Sequence, residues 1–366
     1  MNDVKKVKKT CSRKKKIFVT ILCAVITFII IGIWVLSVVV YNENFNRRFE
    51  SYEPFMLYTD DFQGLQRTRH QFPSDKGQML TGYMYSSGEK QRGIVIIAHG
   101  FGGGGHNSYM DCANYFAQNG YYVFAYDATG NDESDGDGVG GLPQGVIDLD
   151  YAVSFIEECE EFSNFPIVLF GHSWGAYSVC NVLTYHPEVK AIISVSGFNA
   201  SSDLFESEGK NQVGKGIYLM LPFVKLHEYI KYGNYALNTA MNGFDSSDTN
   251  VMIVHSNDDS IVPIEYGYEK YLEKYKDDSR FNFIRLENRG HDYVFDDMTY
   301  INEFNKGFDK WFETLNYDYQ AEENNELFAI ERTNYILQNL DREEWCNKID
   351  KELFEKFVDF YDAHLE

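Results

Sequence analysis

The chain has 366 residues and a formal net charge of −22, long enough for one large domain with appendages or for two domains. Eight Lys or Arg and one Asp fall in residues 1–16, so this segment carries +7 and the remainder −29. A body this acidic argues against a nucleic-acid partner, because phosphate backbones need basic surfaces.

In chain order, the first element is the uncharged run Ile17 to Val40, IFVTILCAVITFIIIGIWVLSVVV. As a helix it is about 36 Å long, against a hydrocarbon core of about 30 Å. It exceeds the apolar core of a cleavable signal peptide, usually about 7–15 residues, and SVVVYNENF offers no small-x-small cleavage site. TILC does not match a lipoprotein box either, because Leu22 stands where a small residue is needed. Lys5, Lys6, Lys8, Lys9 and residues 13–16 precede the run, whereas only Arg47 and Arg48 follow closely. That bias predicts a single-pass membrane anchor with a cytoplasmic N-terminus and an extracytoplasmic body. The expected organisation is a basic cytoplasmic tail (1–16), the anchor (17–40) and a polar juxtamembrane segment (41–64). A catalytic body (65–316) and an acidic helical tail (317–366) complete it.

LQRTRHQFPSDKGQMLTGYMYSS predicts two strands around a turn at residues 74–77. GIVIIAHG is a buried strand followed by a glycine-rich loop, and a helix follows around Tyr109 to Gln118. YYVFAYD is the next strand, and Val146, Leu149, Val153 and Ile156 then recur at helical spacing. PIVLFGHS, AIISVSGF, NVMIVHSND and FNFIRLE continue the strands, with amphipathic helices between and after them. Short apolar strands alternating with helices predict an α/β fold, a doubly wound and mostly parallel sheet. Residues 199–247 interrupt the rhythm and are expected to form a small helical cap over the sheet, with an apolar centre GIYLMLPFVKLHEYI. In the tail, Trp345, Ile349, Leu353, Phe357, Phe360 and Tyr361 predict an amphipathic helix, packed on the body or offered to a partner. The six cysteines show no metal-ligand spacing, so no metal site is read. Cys112, Cys159, Cys180 and Cys346 are expected as buried free thiols.

Ligands of open parallel sheets gather at the carboxyl ends of the strands, and four such ends carry suggestive residues. VLFGHSWG ends at Ser173, where Gly171 and Gly175 permit a sharp strand-to-helix turn. The N–H of Trp174, at the new helix's N-terminus, then points toward a developing oxyanion. The glycine loop can add a second donor, first the N–H of Phe101. VMIVHSNDD ends at Asp258 and Asp259, and His291 follows the last strand. Serine needs an imidazole to take its proton and a carboxylate to hold that imidazole's tautomer. The order Ser, Asp, His is the one this arrangement takes on a doubly wound sheet.

With these motifs in order, the sequence resembles the α/β-hydrolase family from about Leu65 to Leu315. HGFGG, GHSWG, HSNDDSIVP and NRGHD are similar to that family's oxyanion loop, nucleophile elbow, acid loop and histidine loop. The resemblance implies a membrane-anchored serine hydrolase of bacterial type, acting without cofactor. Aligning His255 and Pro263 with the family's acid motif puts its acid on Asp259, with Ser256 replacing the usual glycine and Asp258 as the alternative. DATGNDESDG resembles another loop of the family, but Thr129 and Asp132 replace its arginine and second glycine. Ser173, Asp259 and His291 are thus the expected catalytic residues, with Phe101 and Trp174 as the oxyanion donors.

The apolar run of the cap predicts a lipophilic acyl pocket lined by Ile217, Met220 and Phe223, and so a small-molecule ester substrate of carboxylesterase or lysophospholipase type. Asp203, Glu206 and Glu208 allow another reading, in which they hold the amino terminus of a short peptide as in serine aminopeptidases of this fold. A third reading, of another class, is a membrane-tethered binding protein with its chemistry lost. The intact serine, acid, histidine and glycine loop count against it.

Overall fold

The uncharged run forms most of one helix, α1 (Arg13–Phe45), in the computed structural model, which describes residues 13–365. Lys5, Lys6, Lys8, Lys9 and Cys11 lie outside the described residues. Lys15–Phe45 is the one helix among the described residues that is long and apolar enough to cross a membrane. The helix does not stop at the end of the uncharged run. It continues for another turn, and Tyr41 and Phe45 bury their rings in the main core.

The sheet has eight strands: β1 (Gln66–Pro73), β2 (Met79–Ser86), β3 (Ile94–Ala98), β4 (Tyr122–Tyr126), β5 (Ile167–His172), β6 (Ala191–Val195), β7 (Asn250–Ser256) and β8 (Phe281–Leu286). Their spatial order is β1-β2-β4-β3-β5-β6-β7-β8. β2 runs antiparallel to both its neighbours, and every pairing from β4 to β8 is parallel. The sheet is therefore doubly wound and mostly parallel. Strands covered on both faces have no solvated side, which is why β3, β5 and β6 read as continuous apolar runs.

In chain order the further helices are α2 (Met110–Gln118), α3 (Gln144–Glu158), α4 (Trp174–Val182), α5 (Ser201–Val213), α6 (Leu221–Tyr232), α7 (Ala240–Ser246), α8 (Tyr268–Tyr275) and α9 (Met298–Phe312). The tail adds α10 (Asn325–Asn339), α11 (Arg342–Cys346) and α12 (Lys351–Asp362). Alternate strand residues sort onto the two faces, as the two-residue period of a strand requires. Ile94, Ile96 and Leu169 share one core with α3, α4 and α8. Val95, Ile97 and Phe170 share the other with α2, α9 and α12.

Two segments are more deeply built in than their composition suggests. The expected polar juxtamembrane segment, 41–64, is built in: Leu57 and Phe62 are buried in the second core, as is Leu65 at the start of the body. The tail lies over them. Trp345 stacks on Phe55 with ring centroids 4.9 Å apart and donates its indole N–H to the Phe55 carbonyl at 3.0 Å. Further on, Phe357 packs against Phe170 of β5, and the Tyr361 hydroxyl donates to the Leu169 carbonyl at 2.7 Å. α12 thus completes one helical layer of the sheet. Among the described cysteines Cys112, Cys180 and Cys346 are buried free thiols, Cys159 is half-buried and Cys23 exposed.

Candidate active site

β5 and α4 meet at Ser173, which sits at φ +55° and ψ −113°, a conformation side chains rarely adopt. The neighbouring glycines are what make the turn possible. A Cβ on Gly171 would lie 2.3 Å from the Gly175 carbonyl oxygen, and one on Gly175 would lie 1.9 Å from that of Ala98. The chain can fold this sharply only with no side chain at either position. Trp174 opens α4, so its N–H belongs to the first turn, where no intrahelical acceptor exists. Its indole is buried, donates to the Leu142 carbonyl at 2.7 Å and meets the Phe101 ring edge-on at 5.5 Å. Phe101, in the loop after β3, is thereby held beside the elbow.

The ends of β7 and β8 bring up the partners. His291 Nε2 lies 2.9 Å from Ser173 Oγ, and its Nδ1 lies 2.7 Å from Asp259 Oδ2. The other Asp259 oxygen accepts the N–H groups of Ile261 (3.0 Å) and Val262 (2.8 Å). Burial works to raise the Asp259 pKa, but hydrogen bonds from His255 and His291 outweigh it and hold the carboxyl well below its usual range. His255 also lies 2.9 Å from the Val262 carbonyl through Nε2, and so braces the acid loop. Asp258 faces elsewhere. It accepts from the Ser256 hydroxyl at 2.5 Å and from the N–H groups of Arg289 and Gly290, both at 3.2 Å, and so ties the acid loop to the histidine loop.

A second relay is absent from any motif. The Tyr109 hydroxyl accepts the Gly100 N–H at 2.9 Å and donates to His172 Nδ1 at 2.8 Å. His172 Nε2 in turn donates to the His291 carbonyl at 3.1 Å. Burial first, then the nearby His291, push His172 down to a pKa of about 3, so it stays a neutral ring able to accept at one nitrogen and donate at the other. The glycine loop and the histidine loop are therefore tied together through Tyr109, just before α2, and His172 of β5. His99 is likewise occupied, with Nδ1 on the Gly100 carbonyl (2.7 Å) and Nε2 accepting the Ala128 N–H (3.0 Å).

Above Ser173 and His291 lies a cleft of about 600 Å³. Its walls come from far apart in the chain: Phe45 of α1, Phe55, Leu204 and Glu208 of α5, Phe295, and Trp345 of the tail. Lys348 reaches the same wall and is buried against Asp111 and Asp296. Burial alone would lower its pKa, but the two carboxylates outweigh that and hold the ammonium charged.

The expected acyl-pocket residues are not among the lining residues. Ile217 is buried beneath α5, where a Cβ on Gly209 would lie 2.1 Å from its Cδ1. Met220 packs on the main core, and Phe223 belongs to α6, the helix that lies along the end of α1. Part of the run covers other protein, with Ile217 and Val224 buried and Met220 on the core, while Tyr218 and Leu219 stay exposed. α7 also leaves the rim and docks on α4, where a Cβ on Gly243 would meet the Cys180 carbonyl at 2.0 Å. Of the three acidic cap residues only Glu208 lines the cleft. Asp203 is paired with Lys270 at 3.1 Å and Glu206 with Lys210 at 2.7 Å. Away from the cleft, Glu157, His186 and Glu188 bring three potential metal ligands together, but the His186 ring is already taken up by Asp150 and Glu188.

Among known proteins, the model of a family described as serine aminopeptidase, S33, matches residues 89–229. The esterase Pf2001 of Pyrococcus furiosus is similar in three crystal forms, two of which give the comparison. One has a TM-score of 0.53 at 16% identity, covering 73% of this chain and 95% of the esterase. The other has 0.52 at 15%, covering 73% and 97%. Est1E from Butyrivibrio proteoclasticus has a TM-score of 0.48 at 17% identity, covering 66% of this chain and 97% of its own. No curated protein matches the chain. The sheet order and the likeness to the Pyrococcus esterase show the fold of the α/β hydrolases.

Proposed function

We propose that the chain hydrolyses carboxylic esters through an acyl-enzyme on Ser173. The observation that carries this reading is the unbroken hydrogen-bonded line Ser173–His291–Asp259, at 2.9 and 2.7 Å, on a left-handed elbow. His291 Nε2 takes the hydroxyl proton as Ser173 Oγ bonds to the ester carbonyl carbon. Negative charge moves to the carbonyl oxygen, which the N–H groups of Phe101 and Trp174 receive. The C–O bond to the alcohol then breaks, and His291 returns the proton to the departing oxygen. Water repeats the sequence on the acyl-enzyme, releasing the acid and restoring the serine. Asp259 remains a carboxylate throughout, holding the imidazole's orientation and balancing its charge.

The cleft walls favour a lipophilic acyl group, since Phe45, Phe55, Leu204 and Trp345 surround the serine. Peptide hydrolysis is the second reading, and the specific observation for it is Glu208, whose carboxyl lines the cleft and is pushed up by burial. Of the cap carboxylates only Glu208 is left for a peptide's ammonium group, because Asp203 and Glu206 are engaged by lysines, and Asp292 of the histidine loop lines the same cleft. The test is a fluorophosphonate probe followed by a panel of ester chain lengths and aminoacyl amides. Labelling at Ser173 with faster ester turnover supports the proposal. Labelling with faster amide turnover sinks it in favour of the peptidase, and no labelling leaves a binding protein.

We also infer that α1 anchors the chain in a membrane with the body outside. Protease added to intact cells should remove the body and leave a small membrane fragment. Cleavage only after permeabilisation would reverse the orientation.

A further inference from the structure

We propose that the outward face of α6 is a second membrane contact, lying among the headgroups of the bilayer that α1 crosses. The proposal rests on the anchor reading of α1.

α6 has two apolar faces where a surface helix needs one. Val224, Glu228 and Tyr232, four residues apart, form its buried face. At about 100° per residue the opposite arc holds Leu226, Tyr229 and Ile230, and these are 45%, 48% and 67% exposed. Polar residues normally occupy that position. Leu219 just before the helix and Leu237 just after it are also exposed.

The place of this face relative to α1 decides what can cover it. α6 lies along the C-terminal end of α1. The Tyr41 hydroxyl donates to Glu228 Oε1 at 2.5 Å, and the Tyr41 ring meets His227 edge-on at 5.7 Å. Ser37 is fully buried, and Ile33, Val38 and Val40 are partly covered, although all four belong to the uncharged run. A span of about 20 residues crosses the hydrocarbon. The turns covered by protein are therefore those at which α1 leaves it. α6 sits at that depth, with exposed Trp34 and Tyr229 where interfacial aromatics gather.

Charge points the same way. Residues 209–232 contain four lysines and one acid, Glu228, which is buried, in a chain of net charge −22. Lys215 and Lys225 are exposed beside the apolar arc. An apolar helix face edged by lysines is the composition that binds anionic lipid surfaces in the plane of the interface. Asn44 and Phe45 at the same end of α1 line the cleft, so this contact also sets the height of the cleft above the lipid.

The test uses the full chain in nanodiscs of phosphatidylglycerol and phosphatidylcholine, with Cys11→Ser, Cys23→Ser and Cys159→Ser as background. A fluorophore is placed at Ile230→Cys, at Ile29→Cys within α1, or at Glu161→Cys in the loop that leads into β5 at the other end of the strands, and is challenged with spin-labelled lipid and with aqueous iodide. The expected result is several-fold stronger lipid quenching at 230 than at 161, with strong lipid quenching at 29. Lipid quenching at 29 but only iodide quenching at 230 overturns the proposal and leaves the anchor standing. Iodide quenching at 29 overturns the anchor, and the proposal falls with it. Protection of 230 from both quenchers, in discs holding two copies, assigns the face to a second chain instead.

Discussion

The reacting centre and the walls around it are built in opposite ways. Ser173, Asp259 and His291 each sit within a few residues of a strand end, and short local motifs fix them there. The walls, Phe45, Phe55, Leu204 and Trp345, come from the long apolar helix α1, a linker, a cap helix and a tail. Covalent chemistry of the proposed kind tolerates little misplacement, and strand ends held by sheet pairing fix these residues. A wall needs only shape and polarity, and segments far apart in the chain can supply it.

The sharpest separation of the two comes from substitution at the centre. Ser173→Ala should lower kcat/KM by about 10⁴-fold or more while leaving the melting temperature unchanged, and His291→Ala should match it, because the members act as one unit. Asp259→Asn should cost about 10⁴-fold by favouring the wrong imidazole tautomer. Asp258→Asn should stay within about tenfold, since losing one loop-tying acceptor costs about 1 kcal/mol. Steady-state ester kinetics check all four, and a reversal of the last two would move the acid to Asp258.

The wall should fail through stability instead. Lys348→Met strips the buried Asp111 and Asp296 of their cation, and leaving a buried charge unpaired costs about 3–5 kcal/mol. Thermal unfolding should show the loss. A variant as stable as the wild type would mean that the tail contributes nothing to the cleft's integrity.

A third expectation concerns the contact between α6 and α1. Burial raises the Glu228 carboxyl to a pKa of about 7, with hydrogen bonds from Ser201 and Tyr41 only partly opposing it. In the unfolded chain the group titrates near its ordinary value, so between the two pKa values the folded state binds the extra proton. Its contribution to stability is full below the ordinary pKa and is lost as pH rises through about 7, by up to about 3 kcal/mol. Glu228→Gln, neutral at every pH, should shrink the fall in melting temperature between acid and mildly alkaline buffer. An unchanged fall would place that pH dependence elsewhere.

How much of this is legible in the sequence follows the same division. Strands buried on both faces announce themselves as apolar runs, and glycines flanking a serine mark a turn only they can make, so the fold and the meeting of Ser173, Asp259 and His291 read directly. Residues 217–224 read as apolar just as clearly, but periodicity says that a side chain is covered and never by what. The run splits between α5, the main core and solvent, and the cleft takes Leu204 and Glu208 from α5 instead. Tyr109 left no signal, because its role depends on Gly100 and His172 meeting in space. Tyr109→Phe should test that role. It strips the Gly100 N–H and His172 of a shared partner, at about 1–3 kcal/mol, and should lower kcat about tenfold or more with KM little changed. An unaltered kcat would reduce the relay to packing.

The finest test asks which residues measure the acyl chain. Each buried methylene of substrate contributes about 0.8 kcal/mol, so two added carbons should raise kcat/KM about tenfold until the cleft is full. Phe55 and Leu204 line the cleft, and Phe223 does not. Phe55→Ala and Leu204→Ala enlarge the apolar space and should move the optimum to longer chains, while acetyl-ester turnover changes little. Phe223→Ala should leave the whole profile where it was. If Phe223→Ala shifts the optimum and Phe55→Ala does not, the acyl group lies under the cap run, and the contrast between a local centre and a long-range wall gives way. A profile that is flat in the wild type, with quicker cleavage of free-amino substrates, would transfer the cleft to a peptide and make Glu208 the residue to substitute next.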